Sequence, residues 1–171
     1  RFARSKHADK QKLPDWAIPK AWGDEVIGSG PGTSEQFFGG DLYGVIEHLD
    51  HLKALGVTLI YLTPVFPGRS NHRYDASSFS KVDPLLGGDK ALIELVKAAH
   101  KKGFRIIGDL TSNHSGNTHE WFQAAYKKPG AKDTGTGSSL RNTFDQAAIE
   151  FKRLGITLNA QQYDFLSEEE K

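Results

Sequence analysis

The sequence predicts an α/β chain in which parallel strands alternate with crossover helices. Two short apolar runs, "VTLIYLTP" and "FRIIGDL", carry this reading. Each is rich in β-branched residues and ends at a proline or an acid, as a buried strand does. A third observation joins them: the amphipathic stretch "DKALIELVKAAHKKG" stands between the two runs. Two buried strands linked through a helix pair in parallel by a crossover.

The elements follow in chain order. Residues 1–36 contain Pro14, Pro19, Pro31 and the glycines of "GSGPG", with no persistent helical or alternating pattern. They read as an irregular arm anchored by Trp16 and Trp22. From Gly39, "GGDLYGVIEHLDHLKALG" sets Leu42, Val45, Ile46, Leu49, Leu52 and Leu55 on one helical face. Asp41 suits the N-cap and Gly56 the left-handed C-terminal position. The first strand comes next. A long loop then runs from Val65 to Gly88, far beyond the two to six residues usual for a βα connection, and its Tyr, Asp, His and Arg content favours a functional role. In the second helix Asp89 is the expected cap, Leu92, Leu95, Val96 and Ala99 face inward, and Gly103 is the stop. After the second strand, "THEWFQAAYKK" predicts a short helix capped by Thr118. Residues 37–128 thus form the α/β body. Residues 129–140 read as a turn-rich linker or the start of an inserted domain. Residues 141–171 read as a tail, helical around Thr143–Leu154, of no legible role.

Composition narrows the function. Hydrophobic content of 37% and charged content of 25% are ordinary for a folded domain. A net charge of +1 gives no field that would draw nucleic acid or a membrane surface. No apolar run is long enough for a membrane-spanning helix, and no leader pattern opens the chain. Cys is absent, which removes disulfides and thiolate metal sites but leaves the compartment open between cytoplasm and secretion. Met is absent too, and the opening "RFARS" suggests a fragment, a processed chain or an artificial piece. At 171 residues the chain is short of the roughly 250 that a full eight-fold barrel takes.

The chemistry concentrates in "RIIGDLTSNHSG", Arg105 to Gly116. A strand needs no Asp109, Asn113 and His114 at its exit, whereas α/β folds bind ligands at the carboxyl ends of their strands. The long loop springs from the same edge and brings His72, Arg73, Tyr74 and Asp75. An aromatic face with several directional polar groups suits a sugar ring. Each residue also has a plain structural reading: Asp109 as a strand-end cap, His114 as a surface histidine, Tyr74 as packing under a loop, Asp75 as a loop brace, Asp41 as a helix cap. Other motifs fail. "HEWFQ" lacks the second histidine of a zinc-protease helix, and "GSGPG" lacks the strand–helix context of a phosphate cradle.

Three segments, "FFGGDLYGVIEHLDHLKALGVTLIYLTPVF", "NHRYDASSFSKVDPLLGG" and "GFRIIGDLTSNHSG", resemble the α-amylase family, glycoside hydrolase family 13, on its neopullulanase and cyclomaltodextrinase side. The last fits the family's Asp-x-x-x-Asn-His region. The resemblance implies a partial (β/α)8 TIM-type barrel, with the first strand upstream of "RFARS". It implies an α-glucan oligosaccharide substrate and a retaining mechanism. It makes His114 a hydrogen-bond partner of the sugar, Asp109 the residue that orients the subsite, Tyr74 the ring stacked on the sugar, and Asp75 a residue that helps to hold the loop. It makes Asn113 either a structural calcium ligand or a support for the extra domain after this strand, and it implies a second calcium through Gly39 and Asp41, although "SKHADKQK" lacks the asparagines expected of a partner segment. Retaining hydrolysis takes two carboxylates about 5 Å apart. No segment here matches the family's Gly-x-Arg-x-Asp nucleophile region, its acid/base region or its late Asn-His-Asp region. The chain is therefore expected to carry one wall of a sugar site without the catalytic pair, to be inactive alone, and to have the remainder of the barrel as its partner. Two other readings stand beside it: a non-catalytic carbohydrate-binding or scaffold fragment, and a metal-dependent hydrolase built on Asp109, His114 and His72.

Overall fold

A computed structural model describes residues 2–111 and 114–127, with the last three as backbone only. Asn113, the linker at 129–140 and the tail at 141–171 lie outside the described residues. In chain order the elements are β1 (Ile18–Pro19), β2 (Gln36–Phe37), α1 (Leu42–Glu47), α2 (Leu49–Ala54), β3 (Leu59–Leu62), α3 (Gly88–Lys101), β4 (Arg105–Gly108) and α4 (Glu120–Lys127). Strands β3 and β4 pair in parallel, Leu59 opposite Arg105 through Leu62 opposite Gly108, so their carboxyl ends share one edge.

The core lies between this strand pair and the helices. Leu42, Val45 and Leu49 meet Leu92, Leu95, Val96 and Ala99 over Ile60, Leu62 and Ile106. Phe66, Phe79 and Val82 of the long loop close the cluster, with the Phe66 and Phe79 rings edge to face at 5.4 Å. Fully burying a side chain of this size is worth about 1.5–3 kcal/mol, so the loop is a structural part of the domain.

Several expectations are corrected. The Leu42–Leu55 stretch is two helices, broken at His48. The His48 ring Nδ1 donates to the Gly44 carbonyl at 2.8 Å, taking the acceptor that its own amide would use in a continuous helix. That amide turns instead to the Val45 carbonyl, three residues back. The turn leaves Leu55 exposed rather than inward. Helix α3 starts two residues earlier than the Asp89 cap implies: Gly87, in the left-handed region at φ 102°, holds the N-cap position. Asp89 lies in the first turn and accepts the Val82 amide at 2.8 Å, tying the loop to the helix. The strands alternate between covered and uncovered faces rather than being buried throughout. Ile60, Leu62 and Ile106 face the helices, while Leu59, Tyr61 and Ile107 are exposed. In the arm, Trp16 packs edge-on against Phe37 at 5.5 Å, but Trp22 is 79% exposed.

Ahead of α4, His119 holds the capping place expected of Thr118. Its Nδ1 accepts the Trp121 amide at 3.2 Å, and its ring lies 4.4 Å from Trp121 and 5.4 Å from Phe79. Burial pushes the His119 pKa below the usual histidine value, and the nearby Glu120 only partly opposes this. Protonation would cost the cap acceptor as well as desolvating a cation. The unfolded chain binds the proton more readily, so stability falls as pH drops below about 6.5. Thermal unfolding followed from pH 7.5 to 5 is expected to show this decline, with a shallower slope in His119→Asn, which keeps a capping side chain.

Candidate functional site

The site is built where the long loop folds back over the exit of β4. The loop is first held from beneath. Arg73 is buried, its Nε donating to Asp83 Oδ2 at 2.8 Å, and its guanidinium lies 5.5 Å from the centre of the Phe37 ring. Asp83 Oδ1 accepts the Leu85 amide, and the Asp83 amide donates to the Val65 carbonyl. Arg73 has φ +60°, unusual for a residue with a side chain. This kink turns the next residue, Tyr74, outward over the sheet edge.

The Tyr74 hydroxyl donates to Asp109 Oδ2 at 2.6 Å, and the Tyr74 carbonyl accepts from His114 Nε2 at 2.9 Å. The second bond fixes the His114 proton on Nε2 when the ring is neutral. Asp109 is placed by its own amide, which donates to the Leu62 carbonyl at 2.9 Å and extends the β3–β4 ladder past its end. Gly116 lets the two segments touch: its amide donates to the Ala76 carbonyl at 2.8 Å, and a Cβ there would collide with the Asp75 carbonyl.

Tyr74, Asp109 and His114 thus come together. Asp75 stands next to them but turns away. Its carboxylate accepts the Arg69 amide at 2.9 Å and the Ser70 hydroxyl, closing the loop on itself. Arg73 faces the core, not a ligand. His72 Nδ1 accepts the Tyr74 amide at 3.2 Å, with its ring centre 5.8 Å from that of Tyr74. Among the described residues, no group of three or more His, Cys, Asp or Glu side chains could hold a metal ion.

Tyr61 escaped the sequence reading. It is 55% exposed on the uncovered face of β3, and its hydrogen bond to Asp109 pushes its phenol up to about 12. The same cause raises Tyr74. Asp109 is therefore a carboxylate flanked by two phenols. Strand alternation was the available signal: Tyr61 shares the face opposite Ile60 and Leu62, and its register partner Ile107 is two residues before Asp109.

Gly39 and Asp41 lie elsewhere, at the start of α1. Asp41 caps that helix, accepting the Gly44 amide at 2.8 Å, and is 4% exposed. A Cβ on Gly39 would collide with the Arg4 guanidinium.

The alpha-amylase catalytic domain matches residues 1–142. The chain belongs to the alpha-amylase family. In this family frame, β3 and β4 are neighbouring strands of a (β/α)8 barrel, and Asp109 stands at the carboxyl end where such barrels hold their sites. The chain is 39% identical over 141 residues to a cyclomaltodextrinase of Geobacillus thermopakistaniensis, covering 72% of this chain and 24% of that protein. It is 40% identical over 128 residues to a maltogenic alpha-amylase of Bacillus acidopullulyticus, covering 75% of this chain and 20% of that protein. Among solved structures it is similar to the type III pullulan hydrolase of Thermococcus kodakarensis, with a TM-score of 0.72, 28% identity, and coverage of 82% of this chain and 30% of the other. The cyclic alpha-maltosyl-(1→6)-maltose hydrolase of Arthrobacter globiformis, in complex with that sugar, gives a TM-score of 0.66 at 33% identity, covering 78% and 28%. The chain thus spans about a quarter of the length of these alpha-amylase relatives.

The two phenols give a direct readout of the site. Ionising either one beside Asp109 sets two negative charges together, so the folded state holds those protons more tightly. The Tyr61 contribution to stability is present below about pH 10 and is lost as pH rises through about 12. In Asp109→Asn, ultraviolet titration of phenolate is expected to show Tyr61 returning toward the ordinary tyrosine value.

Proposed function

We propose that this chain supplies part of the barrel and one wall of the sugar subsite of a retaining α-glucan hydrolase or transferase acting on maltodextrins or cyclodextrins. The observation that carries this is the Tyr74 hydroxyl on Asp109 with His114 hydrogen-bonded to the Tyr74 carbonyl, all at the carboxyl edge of a parallel strand pair. Tyr74, 39% exposed, offers a ring face to a pyranose, while Asp109 accepts from its hydroxyls and His114 lines the same edge. Asp75 serves this site indirectly, by bracing the loop.

Retaining hydrolysis needs a nucleophile and an acid/base about 5 Å apart. Of the two carboxylates near the site, Asp75 is bound within its own loop. Asp109 therefore has no free carboxylate across from it among the described residues, and its role is to orient the sugar. The nucleophile and acid/base would come from the remainder of the barrel, which is the partner this reading requires. The names of the relatives, cyclomaltodextrinase and maltogenic alpha-amylase among them, support the substrate class.

Calorimetric titration of the chain with maltotriose to maltoheptaose tests the reading. Binding is expected, weakened about tenfold or more in Tyr74→Ala and His114→Ala, which is about 1.4 kcal/mol per factor of ten. A reducing-sugar assay on the same ligands is expected to show no turnover. Unchanged binding in both variants would remove the proposed wall. Turnover that disappears in Asp109→Ala would show that the chain carries its own catalytic pair, and an absence of any binding would leave the scaffold role alone.

A further inference from the structure

We infer that the junction between residues 3–9 and the first turn of α1 is closed by the protein's own donors and takes no calcium. The family resemblance points calcium at Gly39 and Asp41, but the groups gathered there have different chemistry. Asp41 Oδ2 accepts the Ser5 hydroxyl at 2.6 Å. Its Oδ1 accepts the Gly44 amide at 2.8 Å and the Ser5 amide at 3.3 Å. A carboxylate offers about four lone-pair directions, and three of these are met by hydrogens. Calcium takes six to eight oxygen ligands, and donors aimed at the same carboxylate keep such an ion away.

The charges agree. Arg4 lies over Gly39, whose φ of +76° and missing Cβ leave room for the guanidinium. Arg4 Nε also donates to Asp9 Oδ1 at 2.5 Å, so the other acid near this segment is already neutralised. Arg4 and Lys6 match the carboxylates of Asp9 and Asp41 in number, so the junction has no excess negative charge to hold a divalent ion. The backbone completes the closure. The Asp41 amide donates to the Ala3 carbonyl at 3.0 Å, and a Cβ on Gly44 would collide with that carbonyl. Ser5 is itself buried, and its hydroxyl also accepts the His7 amide at 3.0 Å. Residues 3–7 are thus stitched onto the helix start through hydroxyl and amide donors, with the Arg4–Asp9 pair exposed above them.

Thermal unfolding of the chain in EDTA and in millimolar calcium tests this, together with calorimetric titration of calcium alone. The midpoint is expected to be the same in both, while Ser5→Ala lowers it equally in both. A calcium-dependent rise of several degrees that is lost in Asp41→Ser would overturn the inference. Serine keeps the helix cap while removing the carboxylate, so this variant is expected to fold. A rise that persists undiminished in Asp41→Ser places calcium away from this junction and upholds it.

Discussion

The candidate site depends on one buried ion pair. Arg73 and Asp83 are both nearly inaccessible to water. Removing one partner of such a pair typically costs 3–5 kcal/mol, because the other charge is left buried alone. The pair binds the middle of a loop of more than twenty residues to its base, just before α3. It also sustains the positive φ at Arg73, a conformation that costs about 1–3 kcal/mol when nothing enforces it. Asn71 fixes the far side, its side chain donating to the Thr33 and Gln36 carbonyls of the arm. Between these two holds, Tyr74 has little choice of direction. The exposed contact between Tyr74 and Asp109 is thus set by charges on the opposite side of the loop, inside the core.

The strand pair divides the labour between its faces. Helices α1 and α3 close one face, and the hydrophobic cluster there accounts for the fold. The other face carries Leu59, Tyr61 and Ile107 uncovered, with Asp109 just beyond its end. In an eight-stranded barrel that face looks inward, where side chains from alternate strands stack in layers. Two strands supply only part of any layer. The same geometry that leaves apolar side chains open also presents the Tyr61 phenol to Asp109. Completion of the barrel and assembly of the site are therefore two consequences of one surface.

The helices and strands were legible because their signals are local. Leu92, Leu95, Val96 and Ala99 follow the helical period and are buried as that period predicts. Asp109 and His114 stood out as polar residues where a strand ends, and Tyr74 as the aromatic of a long loop on the same edge. What stayed illegible depends on contacts between distant residues. His48 breaks a helix because its ring can reach back to Gly44, which a hydrophobic pattern does not record. Asp89 and Thr118 look like caps from spacing alone, yet the loop claims Asp89 and the His119 ring competes successfully at α4. Arg73 read as a sugar ligand because a cation in a polar loop is usually exposed, and nothing local announces that Asp83 waits for it in the core. Trp22 read as an anchor from its size, but most of its surface is exposed.

Two phenols on Asp109 make a different site from a lone carboxylate. The Tyr74 hydroxyl donates one hydrogen bond, and a carboxylate has about four acceptor directions. Others remain for the hydroxyls of a ligand. The phenols hold the carboxylate in one orientation before any ligand arrives, so less freedom is lost on binding than if the side chain had to be ordered then. The Tyr74 carbonyl orients His114 in the same way. Because Tyr74 serves as ring face, as donor to Asp109 and as backbone acceptor for His114, the three groups cannot move independently. Movement of the loop would withdraw all of them together, which makes the Arg73 kink the point at which the shape of this wall is decided.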